Sequence, residues 1–273
     1  MDYSLGRGGP KASFPKECGG NTIQIPVVDG MFEAVQFHTH VGSEHVIGGK
    51  KYGAELHIVH KEQQGDRFAV VGIVINGDAA VDNPTFEKLL YKWSAVEQKV
   101  AATCDGEPLK KNRPFASDAT FNVYNLIPRG SSFYHYDGSL TTPPCSEVVW
   151  WEVADTPLSI SPAQYERLVR MTTTYTDSNT CELHTAASPL DGSTNRPIAQ
   201  DLNGRQVQRI CPTGDIDQST APPEQFVVAS ADIGGASYAA PQPYVDYRPI
   251  ASTESGSQSL LPGYDDDDVY AGL

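Results

Sequence analysis

Residues 35–61 read VQFHTHVGSEHVIGGKKYGAELHIVHK and hold five of the chain's seven histidines: His38, His40, His45, His57 and His60. Side chains two apart on a strand share a face, so His38 and His40 of QFHTH set two imidazoles side by side. The segment GSEHVIGGKKYG looks like the turn of a hairpin, which returns AELHIVH as an antiparallel neighbour and brings His57 opposite the pair. Three neutral imidazoles converging on one point suit Zn2+, with the fourth tetrahedral position left for water. His60 is an odd number of residues from His57, faces the other side and reads as structural. Gln36 and Glu55 each stand two residues before a ligand candidate, on its face, where they can hold a second ring nitrogen.

Around this stretch the chain has 273 residues, enough for one large domain with extra segments or for two ordinary ones. A net charge of -14 argues against nucleic acid, whose phosphates need lysine and arginine. The charge is uneven: from Pro212 to Leu273 ten acidic residues face the single basic Arg248. No apolar run approaches about eighteen residues, so no membrane span is expected. The opening MDYSLGRGGPKASF has no apolar run and does not read as a signal peptide; the protein either stays inside or begins after a presequence. Cys18, Cys104, Cys145, Cys181 and Cys211 contain no CxxC spacing, which argues against a thiolate zinc knot, and in a reducing compartment they would be buried thiols.

Residues 1–20, rich in Gly and Pro, are expected to be irregular. NTIQIPVV, FEAVQFHTHV, AELHIVHK, FAVVGIVI, VYNLIP, SSFYHYDGS and EVVWWEVA read as strands. NPTFEKLLYKWSAVEQKVAA predicts a helix capped at Asn83 and Pro84, with Phe86, Leu89, Leu90, Trp93 and Val96 on one face, and SPAQYERLVRM predicts another opened by Ser161 and Pro162. Residues 212–273, poor in large aliphatics, predict an extended or disordered acidic tail, its aspartates solvated or else holding a cation or a protein partner.

Taken in order, QFHTH, GSEH, KKYGAELHIVH, YHYDGSLTTPPCSEVVWWEV and NRPIAQDLNGRQV resemble the alpha class of carbonic anhydrases over roughly residues 20 to 210. The resemblance implies a mainly β fold for residues 21–211, a large twisted, mostly antiparallel sheet with peripheral helices and zinc at the bottom of a cone. It implies His38, His40 and His57 as zinc ligands oriented in part by Gln36 and Glu55, and Thr141 hydrogen-bonded to Glu44 as the pair that orients a zinc-bound hydroxide. Carbon dioxide would lie near Thr142, against a wall of Val59, Val70, Leu140, Val149 and Trp151, and leave as bicarbonate; activated esters could react similarly. A second reading, a non-catalytic binding or scaffold protein on the same fold, stays open.

Three departures stand out. GGNTIQI puts Asn21 where fast members of that class carry a proton-shuttling histidine, and asparagine does not titrate near neutral pH. The family's longer N-terminal region, with its QSPI segment, has no counterpart before Cys18, so that region reads as shortened. By the resemblance Cys18 would pair with Cys145, and Cys181 could pair with Cys211, leaving Cys104 free and favouring an oxidising extracellular, periplasmic or lumenal space.

Overall fold

Ten residues, Phe32–Val41, form the strand about which the molecule is arranged. The structure, a computed structural model, describes residues 1–6, 8–15, 22–104, 121–177, 179–196, 201–211, 216–217 and 227–228. Its strands in chain order are β1 (Asp2–Gly6), β2 (Gly9–Ser13), β3 (Thr22–Ile23), β4 (Phe32–Val41), β5 (His45–Ile47), β6 (Lys50–Lys51), β7 (Ala54–Glu62) and β8 (Phe68–Asn76). They continue with β9 (Phe133–Gly138), β10 (Val149–Ala154), β11 (Leu158–Ser159), β12 (Thr174–Thr176), β13 (Leu183–Thr185), β14 (Gln208–Ile210), β15 (Ile216–Asp217) and β16 (Val227–Val228). Two helices, α1 (Pro84–Cys104) and α2 (Pro162–Thr173), lie among them.

Eleven strands join in one sheet, ordered β1-β2-β4-β7-β8-β10-β9-β14-β15, with β3 beside β4 and β11 beside β8. β8 runs parallel to β10 and β11, and the other described pairings of this sheet are antiparallel. The large, mostly antiparallel sheet expected from the sequence is thus the one that forms.

Register decides which side chains meet. Ala34 stands opposite His60 but Gln36 opposite Val59, so Val35 is an extra residue on β4. Such a bulge reverses the parity of the strand. Ala34 before it and Phe37 after it therefore both bury in the core at the back of the sheet. Gln36, His38 and His40 share the front. At the back, Phe86, Leu89, Leu90, Trp93 and Val96 of α1, each at most 2% exposed, pack with Phe37, Leu56, Ile58 and Ile73. Burying each such side chain contributes about 1.5–3 kcal/mol. Asn83 Oδ1 caps α1 by accepting from the amides of Thr85 and Phe86, and Ser161 and Gln164 form a capping box on α2.

Several expectations need correction. Residues 1–20 are not irregular throughout: β1 and β2 form a hairpin, and β2 pairs with β4. Tyr3, Ala12 and Phe14 give that hairpin a buried face, which outweighs its Gly and Pro content. NTIQIPVV is a strand only at Thr22–Ile23, because Val28 N–H donates to Ile25 O in a turn at Pro26. VYNLIP is a 3-10 turn, Val123–Leu126, capped by Asn122, whose side chain accepts from Tyr124 N–H. From the tail, β15 pairs with β14 and β16 with β5; its other residues, the aspartate run included, lie outside the described residues.

The disulfide differs too. Cys104 is bonded to Cys181, with Cα atoms 5.4 Å apart, while Cys145 and Cys211 are free thiols. The implied pairs Cys18–Cys145 and Cys181–Cys211 are not the ones formed, because α1 ends at Cys104 against the β12–β13 hairpin that carries Cys181. Cys18 lies outside the described residues. No described helix is long and apolar enough to cross a membrane.

Candidate metal centre

β4 and β7 pair so that His38 faces His57 directly and His40 faces Glu55. One ligand-capable atom from each of His38, His40 and His57 lies within 4.8 Å of the others, and all three residues are buried. His38 Nε2 and His40 Nε2 are 3.0 Å apart. Two nitrogens at about 2.05 Å from a tetrahedral zinc stand about 3.3 Å apart, so the spacing fits that ion.

Each ring is held from behind. His38 Nδ1–H donates to Gln36 Oε1 at 2.9 Å, and His57 Nε2–H donates to Glu55 Oε1 at 3.0 Å. Both partners are those expected from the sequence. The third was missed: His40 Nδ1 is 3.5 Å from the backbone oxygen of Thr194, whose Oγ1 also accepts from Val41 N–H at 2.9 Å. These contacts leave Nε2 of His38, Nε2 of His40 and Nδ1 of His57 for a metal.

Glu55 is the hub of a second layer. Its Oε2 accepts from the amides of Glu44 and His45, both at 2.8 Å, and its Oε1 also accepts from His45 Nδ1 at 2.5 Å. His45 Nε2 is in turn 2.7 Å from Tyr136 Oη. Gly72, opposite His57 on β8, leaves the room: a Cβ there would come within 3.0 Å of Glu55 Oε1.

Burial, followed by the charges of His40, His57 and Lys11, holds His38 well below the ordinary imidazole value. Burial lowers His40 as well, against the pull of Glu44. Burial would lower His57, but its hydrogen bond to Glu55 and the charges of Glu55 and Glu44 prevail and raise it. Burial alone would raise Glu55, yet His45 and His57 hold its carboxyl well below the usual range. Burial thus disfavours the charged form of two rings, while a neighbouring carboxylate favours it on the third.

Glu44 Oε1 accepts from Arg196 N–H at 2.8 Å. Its Oε2 is buried without a hydrogen-bond partner, 3.7 Å from His40 Nε2. The Thr141 to Glu44 hydrogen bond implied by the resemblance is therefore not made; Glu44 leans toward His40 instead. Thr141 and Thr142 are half-buried on the loop between β9 and β10. That loop is tied to the centre by Trp151 Nε1–H, which donates to Ser139 O at 3.2 Å, and by the Trp151 ring, 4.8 Å from that of His57. Val59, Val70, Val149 and Trp151 belong to one buried apolar cluster, with Leu140 packed against it. The five expected wall residues thus share one apolar cluster, which meets the imidazoles at Trp151. Asn21 lies outside the described residues.

His60 faces the back, as expected, with Nδ1–H donating to Ala69 O and Nε2 2.7 Å from Tyr124 Oη. Burial pushes it from 6.5 down to about 4. Between these values the unfolded chain binds the proton and the folded one does not, so stability falls as pH falls through that window. The expected loss is about 3 kcal/mol from near neutrality to about pH 4. Urea unfolding across that range should show it, and His60→Gln should flatten the slope; an equally steep profile in the variant would reject the assignment.

Comparison with known proteins bears on the family and the fold. The family model described as eukaryotic-type carbonic anhydrase matches residues 12–211. The chain is 37% identical over 160 residues to a carbonic anhydrase of Nostoc sp., covering 56% of this chain and 54% of that protein. It is 32% identical over 196 residues to carbonic anhydrase 1 of Monodelphis domestica, covering 66% of each. The alignments thus span between half and two thirds of these relatives' lengths. The crystal structure of a halotolerant carbonic anhydrase from Dunaliella salina superposes with a TM-score of 0.55 at 30% identity, covering 76% of this chain and 72% of that one. Because the matched residues run through β4, β7 and the Thr194 segment that hold the three imidazoles, the chain belongs to the eukaryotic-type carbonic anhydrase family.

Proposed function

We propose that this chain catalyses the reversible hydration of carbon dioxide to bicarbonate and a proton, with zinc held by His38, His40 and His57. The observation that carries the reading is the convergence of three buried imidazoles, each with its other nitrogen facing a protein oxygen. Zinc bound there would supply Lewis acidity that brings the pKa of a water to about 7, a magnitude for which carbonic anhydrase is itself the reference case.

The residues divide the remaining work. Glu44 offers Oε2 as an acceptor beside His40, and Thr141, on the loop tied to Trp151, offers the hydroxyl that would orient the attacking water. Thr142 lies beside it, at the substrate's oxygens. Val59, Val70, Leu140, Val149 and Trp151 give carbon dioxide an apolar surface and keep competing water away.

The direct test is carbon dioxide hydration by purified chain of measured zinc content. One zinc per chain with a rate well above buffer is expected; a fully loaded but inert protein would reject the reaction. With asparagine at position 21, proton release should limit turnover. Added imidazole buffer is therefore expected to raise kcat several-fold while leaving kcat/KM unchanged, and a kcat indifferent to that buffer at saturating substrate would discard this role for position 21.

A further inference from the structure

His38 has two cross-strand neighbours, His57 on β7 and Lys11 on β2. Residues directly opposite on antiparallel strands share a face. Lys11 and Ser13 therefore stand on the front of the sheet, beside His38 and Gln36 respectively. Lys11 lies one residue outside the part of the chain that matches the family, on a hairpin whose place in the sheet the sequence did not reveal.

The backbone at Lys11 is well held. Its carbonyl accepts from Trp93 Nε1–H at 3.4 Å, and Pro10 pairs with Leu5 across the hairpin. Ala12 is buried against the back, and Phe14 N–H donates to Val35 O at 3.0 Å. The side chain is half-buried on the same face as His38, and burial lowers its ammonium from the ordinary lysine value.

The chemistry of the site gives this cation a task. The product of the proposed reaction is an anion, formed near the buried carboxylates of Glu44 and Glu55 in a chain of net charge -14. Both carboxylates oppose a bound anion, while a lysine ammonium beside His38, protonated in mildly acidic buffer, favours one. We infer that Lys11 is a positioning residue that strengthens the binding of bicarbonate and other small monovalent anions at the metal centre. This rests on the function proposed above.

The probe is azide, titrated calorimetrically into zinc-loaded protein in mildly acidic buffer of constant ionic strength, with zinc content measured for each variant. Lys11→Gln and Lys11→Met should each weaken azide binding about fivefold, the size of one screened unit-charge interaction across adjoining side chains. Lys11→Arg, which keeps the charge, should stay within about twofold of the wild type. A merely structural role would shift melting temperatures without sorting the variants by charge. Azide binding unchanged in both neutral variants, or lost equally in Lys11→Arg, would overturn the inference. Failure of the proposed reaction is read separately, as zinc-loaded wild-type protein that binds azide but hydrates no carbon dioxide.

Discussion

Replacing His57 with alanine should strip the zinc and, with it, the hydration of carbon dioxide. His57 alone brings the second strand into the triad: His38 and His40 both come from β4, and two imidazoles on one strand leave the ion half enclosed. A four-ligand zinc site worth about 10–16 kcal/mol implies about 3 kcal/mol per ligand, so affinity should drop about a hundredfold or more. The catalytic loss should be larger, because the geometry that leaves one position for water goes with the ligand. Metal analysis after dialysis and stopped-flow hydration measure the two effects on one preparation. A His57→Ala protein with full zinc and wild-type rate would reject the three-imidazole centre.

The second large effect concerns Glu55, which is not one of the three proposed ligands. Glu55→Ala would leave two backbone amides, His45 Nδ1 and His57 Nε2 without their shared acceptor in a dry interior. Breaking a buried charged network by removing one partner costs about 3–5 kcal/mol, and losing an outer partner of a metal-binding histidine weakens metal about 10–100-fold. Both numbers should appear, the first in chemical denaturation of metal-free protein and the second in competition with a chelator. Glu55→Gln keeps the shape and one acceptor and should fall between. An unchanged denaturation midpoint in Glu55→Ala would show that the network contributes nothing to stability.

Much of this centre could be read before any coordinates, for a physical reason. A strand repeats every two residues, so His38 and His40, or Glu55 and His57, declare a common face by spacing alone. Helix ends declare themselves through the short side chains of Asn83 and Ser161, which cap by local geometry. Other features left no such mark. Thr194 acts through its backbone oxygen, and every residue has one. The bulge at Val35 changes the parity of β4 without a glycine or proline to announce it. The bond between Cys104 and Cys181 depends on where α1 meets a hairpin 77 residues later, which no local pattern encodes. The β1–β2 hairpin carries only a few apolar residues between glycines, and its strand character comes from pairing with β4 rather than from its own composition.

The partners of His40 and Glu44 arrive late, Thr194 following His40 by 154 residues and Arg196 following Glu44 by 152. During synthesis, from the amino end onward, the growing polypeptide displays its imidazoles long before the ribosome has made the segment that steadies one of them. If zinc is held as proposed, ion capture at full strength would be a closing event in the biogenesis of this protein, and nascent fragments ending before that segment would hold metal loosely.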